Sequence, residues 1–330
     1  LPLQHFTRAA IEAVQLTAKQ LQPALSGAAH IGVVQATSPD YGPRILALSE
    51  AALIQAKRQN VPIVFYDDAL VADLAKQKLA NKNLKQAIEL EEIEPFYQVQ
   101  IDSRTGEIAG LEALARWRHP EKGILPPSTF FPVADAHGLT ASLDDLILRR
   151  VLRDQEAWLR QGLTVPRIAL NISAMRLHDQ TLVETLHQAA VRSSNLAFEL
   201  VETVYFDGIC DEILERITAI RALGVEIEID DFGSGHSSLV SLLKIRPDRL
   251  KIDRLLVSDI AMSEEPKQVV RAIIEIAKTL NIGVIAEGVE TVDQAALLTE
   301  MGCVLLQGYL FGKPESANEV ALRLSRSHNP

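Results

Sequence analysis

From Phe96 onward, short apolar runs alternate with longer stretches whose apolar residues recur at helical spacing. This alternation is typical of repeated βα units built on a mainly parallel sheet. The runs lie at 96–101, 108–115, 167–172, 196–201, 225–230, 248–252, 283–286 and 303–306. Eight runs match the strand number of a closed (β/α)8 barrel, so the pattern predicts an α/β barrel fold.

The first third of the chain shows a smaller version of the same alternation. Apolar residues recur at helical spacing over 7–24 and again over 45–60. A short apolar run follows each of these stretches, at 31–34 and 61–66. These elements predict a small α/β unit over residues 1–67.

Residues 68–92 are charged, lack Gly and Pro, and carry an amphipathic repeat. We therefore expect a connecting helix here, followed by the barrel domain over 93–330.

The composition limits the classes of function. The chain has 330 residues and 47% hydrophobic content, enough for a sizeable core. Its formal net charge of -10 argues against a duplex-DNA binder but allows a small anionic ligand held by metals. Cys210 and Cys303 lie in apolar stretches, which favours reduced thiols and a cytoplasmic location. No apolar run approaches the roughly 18 residues of a membrane segment. The chain starts with Leu1 rather than Met. A cytoplasmic part of a larger protein is therefore one expectation.

One strand end carries two adjacent carboxylates. Apolar and acidic residues alternate through 225–230, and Asp230 and Asp231 then lead into a glycine-rich turn. Neighbouring carboxylates repel each other, so a divalent cation is one interpretation. A helix-capping Asp beside a solvated Asp is the other. The Asp-Phe-Gly loop of a protein kinase is excluded, because the chain has neither a His-Arg-Asp loop nor an upstream Gly-rich phosphate loop.

Polar residues follow six of the predicted strands, including the strand that ends at Asp230. They are Asn171, Glu199, Asp230, Lys251, Glu287 and Gln307. Strand ends converge on one face of a barrel, so this set predicts a metal site with a proton-handling group. For any single residue, a solvated loop position is the alternative.

The stretch 110–120, Gly-Leu-Glu-Ala-Leu-Ala-Arg-Trp-Arg-His-Pro, resembles the signature of EAL domains, phosphodiesterases of the bacterial second messenger cyclic di-GMP. The resemblance extends over about 90–315. Its further blocks are Pro126 with 130–135, 170–173, 199–202, 230–235, 250–253, 286–291 and 307–311. It implies a variant TIM barrel whose first strand runs antiparallel to the others.

The resemblance also implies roles for individual residues. Two Mg²⁺ or Mn²⁺ ions would be held by Glu112, Asn171, Glu199, Asp230, Asp231 and Glu287. Lys251 would hold and help deprotonate the attacking water, with a pKa lowered by the nearby dications, and Glu202 would anchor the 233–238 loop. Substrate contacts are expected from Gln98, Leu114, Arg116 and Gln307, with Asp253 and Glu290 as supports.

The implied activity is metal-dependent hydrolysis of cyclic di-GMP to linear pGpG by a homodimer. The alternative is a catalytically silent cyclic di-GMP receptor or a scaffold. The family's usual Thr and Tyr are replaced by Val201 and His236 near the glycine-rich loop, but every proposed ligand and the base are in place.

A second resemblance concerns the segment 48–60, Leu-Ser-Glu-Ala-Ala-Leu-Ile-Gln-Ala-Lys-Arg-Gln-Asn, which is similar to the closing segment of GGDEF diguanylate cyclase domains. The Gly-Gly-Asp-Glu-Phe signature itself is absent from the chain. We therefore expect a partial, degenerate GGDEF-like segment without cyclase activity.

Overall fold

The computed structural model forms two compact units, Leu1–Lys82 and Asn83–Pro330. The residues that it describes are 30–34, 45–58, 61–65, 68–188, 195–201, 211–233 and 239–327.

The first unit contains a parallel strand pair and a helix. Strand β1 (Ile31–Val33) pairs with β2 (Ile63–Phe65), and α1 (Ile45–Arg58) connects them. A Cβ added at Gly32 would lie 2.3 Å from the backbone nitrogen of Leu53, so the glycine allows α1 to pack directly on β1. The helix predicted over 7–24 lies outside the described residues.

Helix α2 (Asp68–Glu89) occupies most of the predicted connecting helix. The division between the two units falls within this helix, after Lys82. The assignment of 1–67, 68–92 and 93–330 as separate domains stays a prediction.

The second unit is built on a closed ring of eight strands, which confirms the predicted barrel. In chain order they are β3 (Ile93–Asp102), β4 (Ile108–His119), β6 (Arg167–Asn171), β7 (Leu196–Val201), β8 (Glu226–Phe232), β9 (Arg249–Ile252), β10 (Gly283–Ala286) and β11 (Leu305–Gln307). β3 is antiparallel to both of its neighbours, β4 and β11, and the remaining pairs in the ring are parallel. The short strand β5 (Gly123–Leu125) extends β4 outside the ring.

Amphipathic helices follow the strands along the chain. They are α3 (Pro127–Ala136), α4 (Thr140–Arg160), α5 (Ala174–His178), α6 (Thr181–Gln188), α7 (Asp211–Ala222), α8 (Leu239–Ile245), α9 (Arg254–Ser258), α10 (Glu264–Thr279), α11 (Val292–Glu300) and α12 (Ala317–Ser327). In α10, for example, Val270, Ile273 and Ala277 form one buried face. Within the described part of the chain, no helix has both the length and the apolar character that a membrane span requires.

Polar side chains are buried on the strands of the ring. They include Gln98, Gln100, Glu112, Arg167, Glu199, Glu228, Lys251 and Gln307. TIM barrels usually fill the barrel interior with bulky aliphatic residues. Because burial of polar groups is costly unless they are paired, their contacts decide how the interior is held together.

Candidate active site

Lys251 lies at the centre of the carboxyl end of the barrel. It is fully buried on β9, and its Nζ lies 2.7 Å from Glu287, 2.8 Å from Glu199, 3.1 Å from Asp230 and 3.4 Å from Glu112. These carboxylates come from β4, β7 and β8 and from the residue after β10. Closure of the barrel therefore brings together residues that are far apart in the sequence.

An irregularity in β8 adds a second carboxylate from the same strand. The register between β8 and β9 shifts between Ile229 and Phe232, and Asp231 adopts a φ of 53°. Such a φ is strained for a non-glycine residue and recurs at functional sites. The Asp231 backbone nitrogen donates a hydrogen bond to Asp230 Oδ1 at 3.0 Å. Oxygen atoms of Asp230, Asp231 and Glu287 lie within 4.8 Å of one another, which is close enough to share a cation.

The negative charge of this cluster exceeds what Lys251 can neutralise. Burial raises the pKa of Glu199 well above its usual range, and the charge of Glu112 adds to the effect. Burial likewise raises the pKa of Glu287 to about 8. It raises the pKa of Asp231 to about 6, with a further contribution from Asp230. Glu199, Glu287 and Asp231 are therefore harder to ionise in the folded chain than in water.

Lys251 responds in the opposite direction. Burial alone would lower the pKa of its ammonium group, but Asp230, Glu112, Glu199 and Glu287 outweigh burial and raise that pKa well above its usual value. The carboxylates therefore shift the Lys251 pKa upward, which is opposite to the downward shift that we expect when two dications are bound.

The donor set fits divalent cations. Glu199 Oε1 is buried and accepts no hydrogen bond from the residues that the structure describes. Asn171 Nδ2 donates to Glu199 Oε2 at 3.1 Å, which leaves the Asn171 carbonyl oxygen as its ligand atom. Carboxylate and amide oxygens are hard donors that Mg²⁺ and Mn²⁺ accept. Dications would also offset the excess negative charge.

A cavity of about 220 Å³ opens next to this cluster. Its lining includes three of the predicted substrate-contact residues, Gln98, Leu114 and Gln307. The polar atoms of the two glutamines already have partners. Gln98 Nε2 donates to the Gly312 carbonyl at 2.9 Å, and Gln307 Nε2 donates to Gln98 Oε1 at 3.3 Å and to Glu112 Oε2.

Arg116, the fourth predicted contact, is placed differently. It is half-buried, burial lowers its pKa, and its Nη1 donates to the Ala115 carbonyl at 2.8 Å. Arg116 is not among the described residues that line the cavity. Glu202 and His236 lie outside the described residues. Asp253, expected as a support, caps α9 by accepting a hydrogen bond from the Leu255 nitrogen at 2.8 Å.

The cavity also contains residues that the sequence analysis missed, notably Arg254, Gly288 and Tyr309. A Cβ added at Gly288 would lie 2.0 Å from Arg254 Cγ, so the glycine leaves room for the arginine stem. Arg254 directly follows the block 250–253, and Gly288 and Tyr309 lie within the blocks 286–291 and 307–311, but the sequence analysis gave them no role. Their position in the sequence was the signal that could have identified them.

Comparison with known proteins places this site in a family. The model of the family described as "EAL domain" matches residues 81–314, which is more than half of the chain. The chain belongs to the EAL domain family. The match includes every predicted metal ligand and Lys251.

Two curated relatives of this EAL domain come from Pseudomonas aeruginosa. The bifunctional diguanylate cyclase/cyclic di-GMP phosphodiesterase MucR is 34% identical over 277 residues, which cover 82% of this chain and 40% of MucR. The cyclic di-GMP phosphodiesterase NbdA is 38% identical over 254 residues, covering 76% of this chain and 32% of NbdA. The chain thus spans well under half the length of these relatives.

A solved structure matches the barrel over nearly its whole length. The PaMucR phosphodiesterase in complex with c-di-GMP is 35% identical, with a TM-score of 0.68, and the match covers 73% of this chain and 99% of that one.

Proposed function

We propose that this EAL domain hydrolyses cyclic di-GMP to linear pGpG with the help of divalent cations. The observation that carries the proposal is the group of five carboxylates around the single ammonium of Lys251 at the carboxyl end of the barrel. The likeness to a phosphodiesterase whose structure contains c-di-GMP supports the choice of substrate.

Two Mg²⁺ or Mn²⁺ ions are the cofactors that we propose. Their ligands would be Glu112, Asn171, Glu199, Asp230, Asp231 and Glu287. When bound, paired dications neutralise phosphoryl oxygens, lower the pKa of water and stabilise the leaving alkoxide.

Lys251 is the proposed proton-handling group. Its Nζ is fixed by four carboxylates, so it cannot swing away from the site. Because those carboxylates raise its pKa and burial lowers it, neutralising them shifts Lys251 toward the free amine. The amine can then accept a proton from the attacking water at Nζ.

The remaining side chains bind and orient the substrate. Leu114 offers an apolar surface in the cavity, where Gln98 and Gln307 also lie. Arg116 has a forked guanidinium group suited to a phosphate oxygen. Glu202 is proposed to anchor the 233–238 loop beside the site.

Product analysis tests the activity. Purified protein is incubated with cyclic di-GMP and Mg²⁺ or Mn²⁺, with a chelator control, and the products are resolved by chromatography. Cation-dependent pGpG is the expected result. Tight binding without product would instead identify a receptor, and the absence of both would remove cyclic di-GMP as the ligand.

We also propose a homodimer that forms through the region of α8. Leu243 on α8 is 57% exposed, beside an apolar cavity of about 300 Å³ lined by Ile276, Thr279 and Leu280. A second copy would cover this surface. Sedimentation at micromolar concentration should give a dimer that Leu243→Glu dissociates; a monomeric parent chain would contradict the proposal.

For the first unit we propose a degenerate GGDEF-like remnant over 1–67, joined by the connecting helix 68–92 to the barrel domain 93–330. The parallel β1–β2 pair with α1 between its strands supports an α/β remnant. Incubation with GTP should yield no cyclic di-GMP, and its formation would contradict this assignment.

A further inference from the structure

A chain of hydrogen bonds runs through the barrel from its amino end to the proposed metal ligand Glu112. Arg167, the first residue of β6, donates through Nη2 to Gln100 Oε1. Gln100 Nε2 donates to Gln307 Oε1 at 2.9 Å, and Gln307 Nε2 donates to Glu112 Oε2. All four side chains are buried. Water is therefore a poor substitute for any of these contacts.

The chemistry of Arg167 fixes the direction of every bond in this chain. A guanidinium group has only donors, so Gln100 must turn its carbonyl oxygen toward Arg167 and its amide nitrogen toward Gln307. Gln307 must then accept through its oxygen and donate through its nitrogen. An ionised carboxylate has only acceptors, so Glu112 is the matching end of the chain.

Two features hold the arginine end in place. Arg167 is only 8% exposed, and its Nε lies 3.1 Å from Glu228, which is fully buried. Gly110 is aligned between Gln100 and Arg167 in the strand register. A Cβ added there would lie 2.4 Å from Gln100 Oε1 and 3.0 Å from Arg167 Nη2, so the glycine provides the space that this bond needs.

We propose that Arg167 and Gln100 are positioning residues that orient the Glu112 carboxylate for cation binding from the opposite end of the barrel. They act through Gln307 and touch neither cation nor substrate. This inference rests on the proposed metal site, and it does not depend on hydrolysis. Partners that orient metal ligands in this way typically change metal affinity or activity by about 10- to 100-fold when replaced.

Gln100→Glu is the sharpest test, because it keeps the size of the side chain and removes the donor that the hydrogen-bond chain needs at this position. The new carboxylate still accepts from Arg167 but cannot donate to Gln307. The Gln307 oxygen then faces a carboxylate instead of an amide nitrogen, which opposes the orientation in which Gln307 Nε2 donates to Glu112. Calorimetric titration of the full chain with Mn²⁺, without nucleotide, should show affinity weakened by about 10-fold.

Gln155→Glu is the matched control. Gln155 is a buried glutamine on α4 outside the hydrogen-bond chain, so the same substitution adds a buried acid without touching Glu112. Its Mn²⁺ affinity should equal that of the parent. Circular dichroism melting checks that each variant is folded.

Gln100→Met provides a second variant if Gln100→Glu does not fold. It removes both hydrogen bonds without adding charge and should weaken Mn²⁺ binding less than Gln100→Glu does, because Gln307 loses Gln100 as a partner but keeps Gln98. A folded Gln100 variant that binds Mn²⁺ as the parent does would overturn the inference. So would a parent chain that binds no Mn²⁺. A chain that shows the predicted loss but releases no pGpG would retain this inference and lose the proposed function.

Discussion

The two ends of the barrel contain charged side chains in very different balance. At the amino end, Arg167 and Arg249 face Glu226 and Glu228, with Arg167 Nε and Arg249 Nη1 lying 3.1 Å and 3.4 Å from Glu228. At the carboxyl end, Lys251 pairs with four carboxylates, and Asp231 joins Asp230 and Glu287 in the same cluster.

This comparison shows how one fold separates stability from function. At the amino end two cations and two anions balance in formal charge and pair with each other. A cluster of five acids and one ammonium cannot balance in this way. Burial is the main cause of the raised pKa values of Glu199, Glu287 and Asp231, and the neighbouring carboxylates add to it. The unbalanced end is therefore where external cations are expected to bind.

The largest expected effect is on turnover. Lys251→Ala should reduce hydrolysis of cyclic di-GMP by about 10²- to 10⁴-fold while leaving nucleotide binding largely intact, because it removes the proposed proton acceptor. Activity assays and binding calorimetry in saturating Mn²⁺ measure the two quantities. Lys278→Ala, at an exposed lysine of α10, is the control. Turnover retained in Lys251→Ala would remove this residue from its role.

Substitutions at the amino end of the barrel should change the stability of the fold. Glu228→Gln leaves two arginines with one carboxylate, that of the partly exposed Glu226, so we expect a loss of about 3 kcal/mol in the free energy of unfolding. Urea denaturation measures it. A variant as stable as the parent would show that these ion pairs do not hold the barrel together.

Cations should stabilise the chain through the unbalanced end. Mn²⁺ at about 100 times its Kd should add about 2.7 kcal/mol per occupied site to the free energy of unfolding, relative to chelator. Glu112→Ala should reduce this gain, because it removes a ligand, whereas Glu228→Gln should preserve it. Equal gains in the parent and in Glu112→Ala would argue against the ligand assignment.

A smaller, pH-dependent effect is expected at Asp144, outside the strand ring. Asp144 Oδ2 accepts a hydrogen bond from the Ser173 nitrogen at 2.8 Å, and burial raises the pKa of this carboxyl group to about 6. A raised acid pKa favours the folded state below about pH 4, and this contribution is lost as the pH rises through 6.

Asp144→Asn keeps an acceptor and cannot ionise. It should therefore be more stable than the parent by about 2 kcal/mol at pH 7, with the difference vanishing near pH 4. Asp145→Asn is the neighbouring control and should have the opposite sign at pH 7, because Asp145 pairs with Arg176 at 2.6 Å. A pH-independent difference for Asp144→Asn would contradict the assignment.

Local sequence patterns predicted the barrel and much of the carboxyl-end cluster. Apolar runs located the eight strands, and the polar residue closing each run identified Glu199, Asp230, Lys251 and Glu287. Both signals are local, because a strand and its end lie within a few residues of each other. The antiparallel direction of β3 followed only from the resemblance to EAL domains.

The amino-end charges could not be predicted in the same way. Glu226 and Glu228 alternate with isoleucines, a pattern typical of a strand with one face in water. Closure of the barrel instead buries Glu228 beside Arg167, which is 61 residues away in the sequence. Alternation gives the two faces of a strand but not which of them becomes the interior.

Calorimetric titration of the chain with Mn²⁺ in the absence of nucleotide tests the central claim most directly. The charge excess at the carboxyl end predicts saturable binding of two Mn²⁺ per chain, with affinity that falls in Glu112→Ala and is unchanged in Lys278→Ala. Absence of saturable binding, or equal binding in all three proteins, would contradict the account.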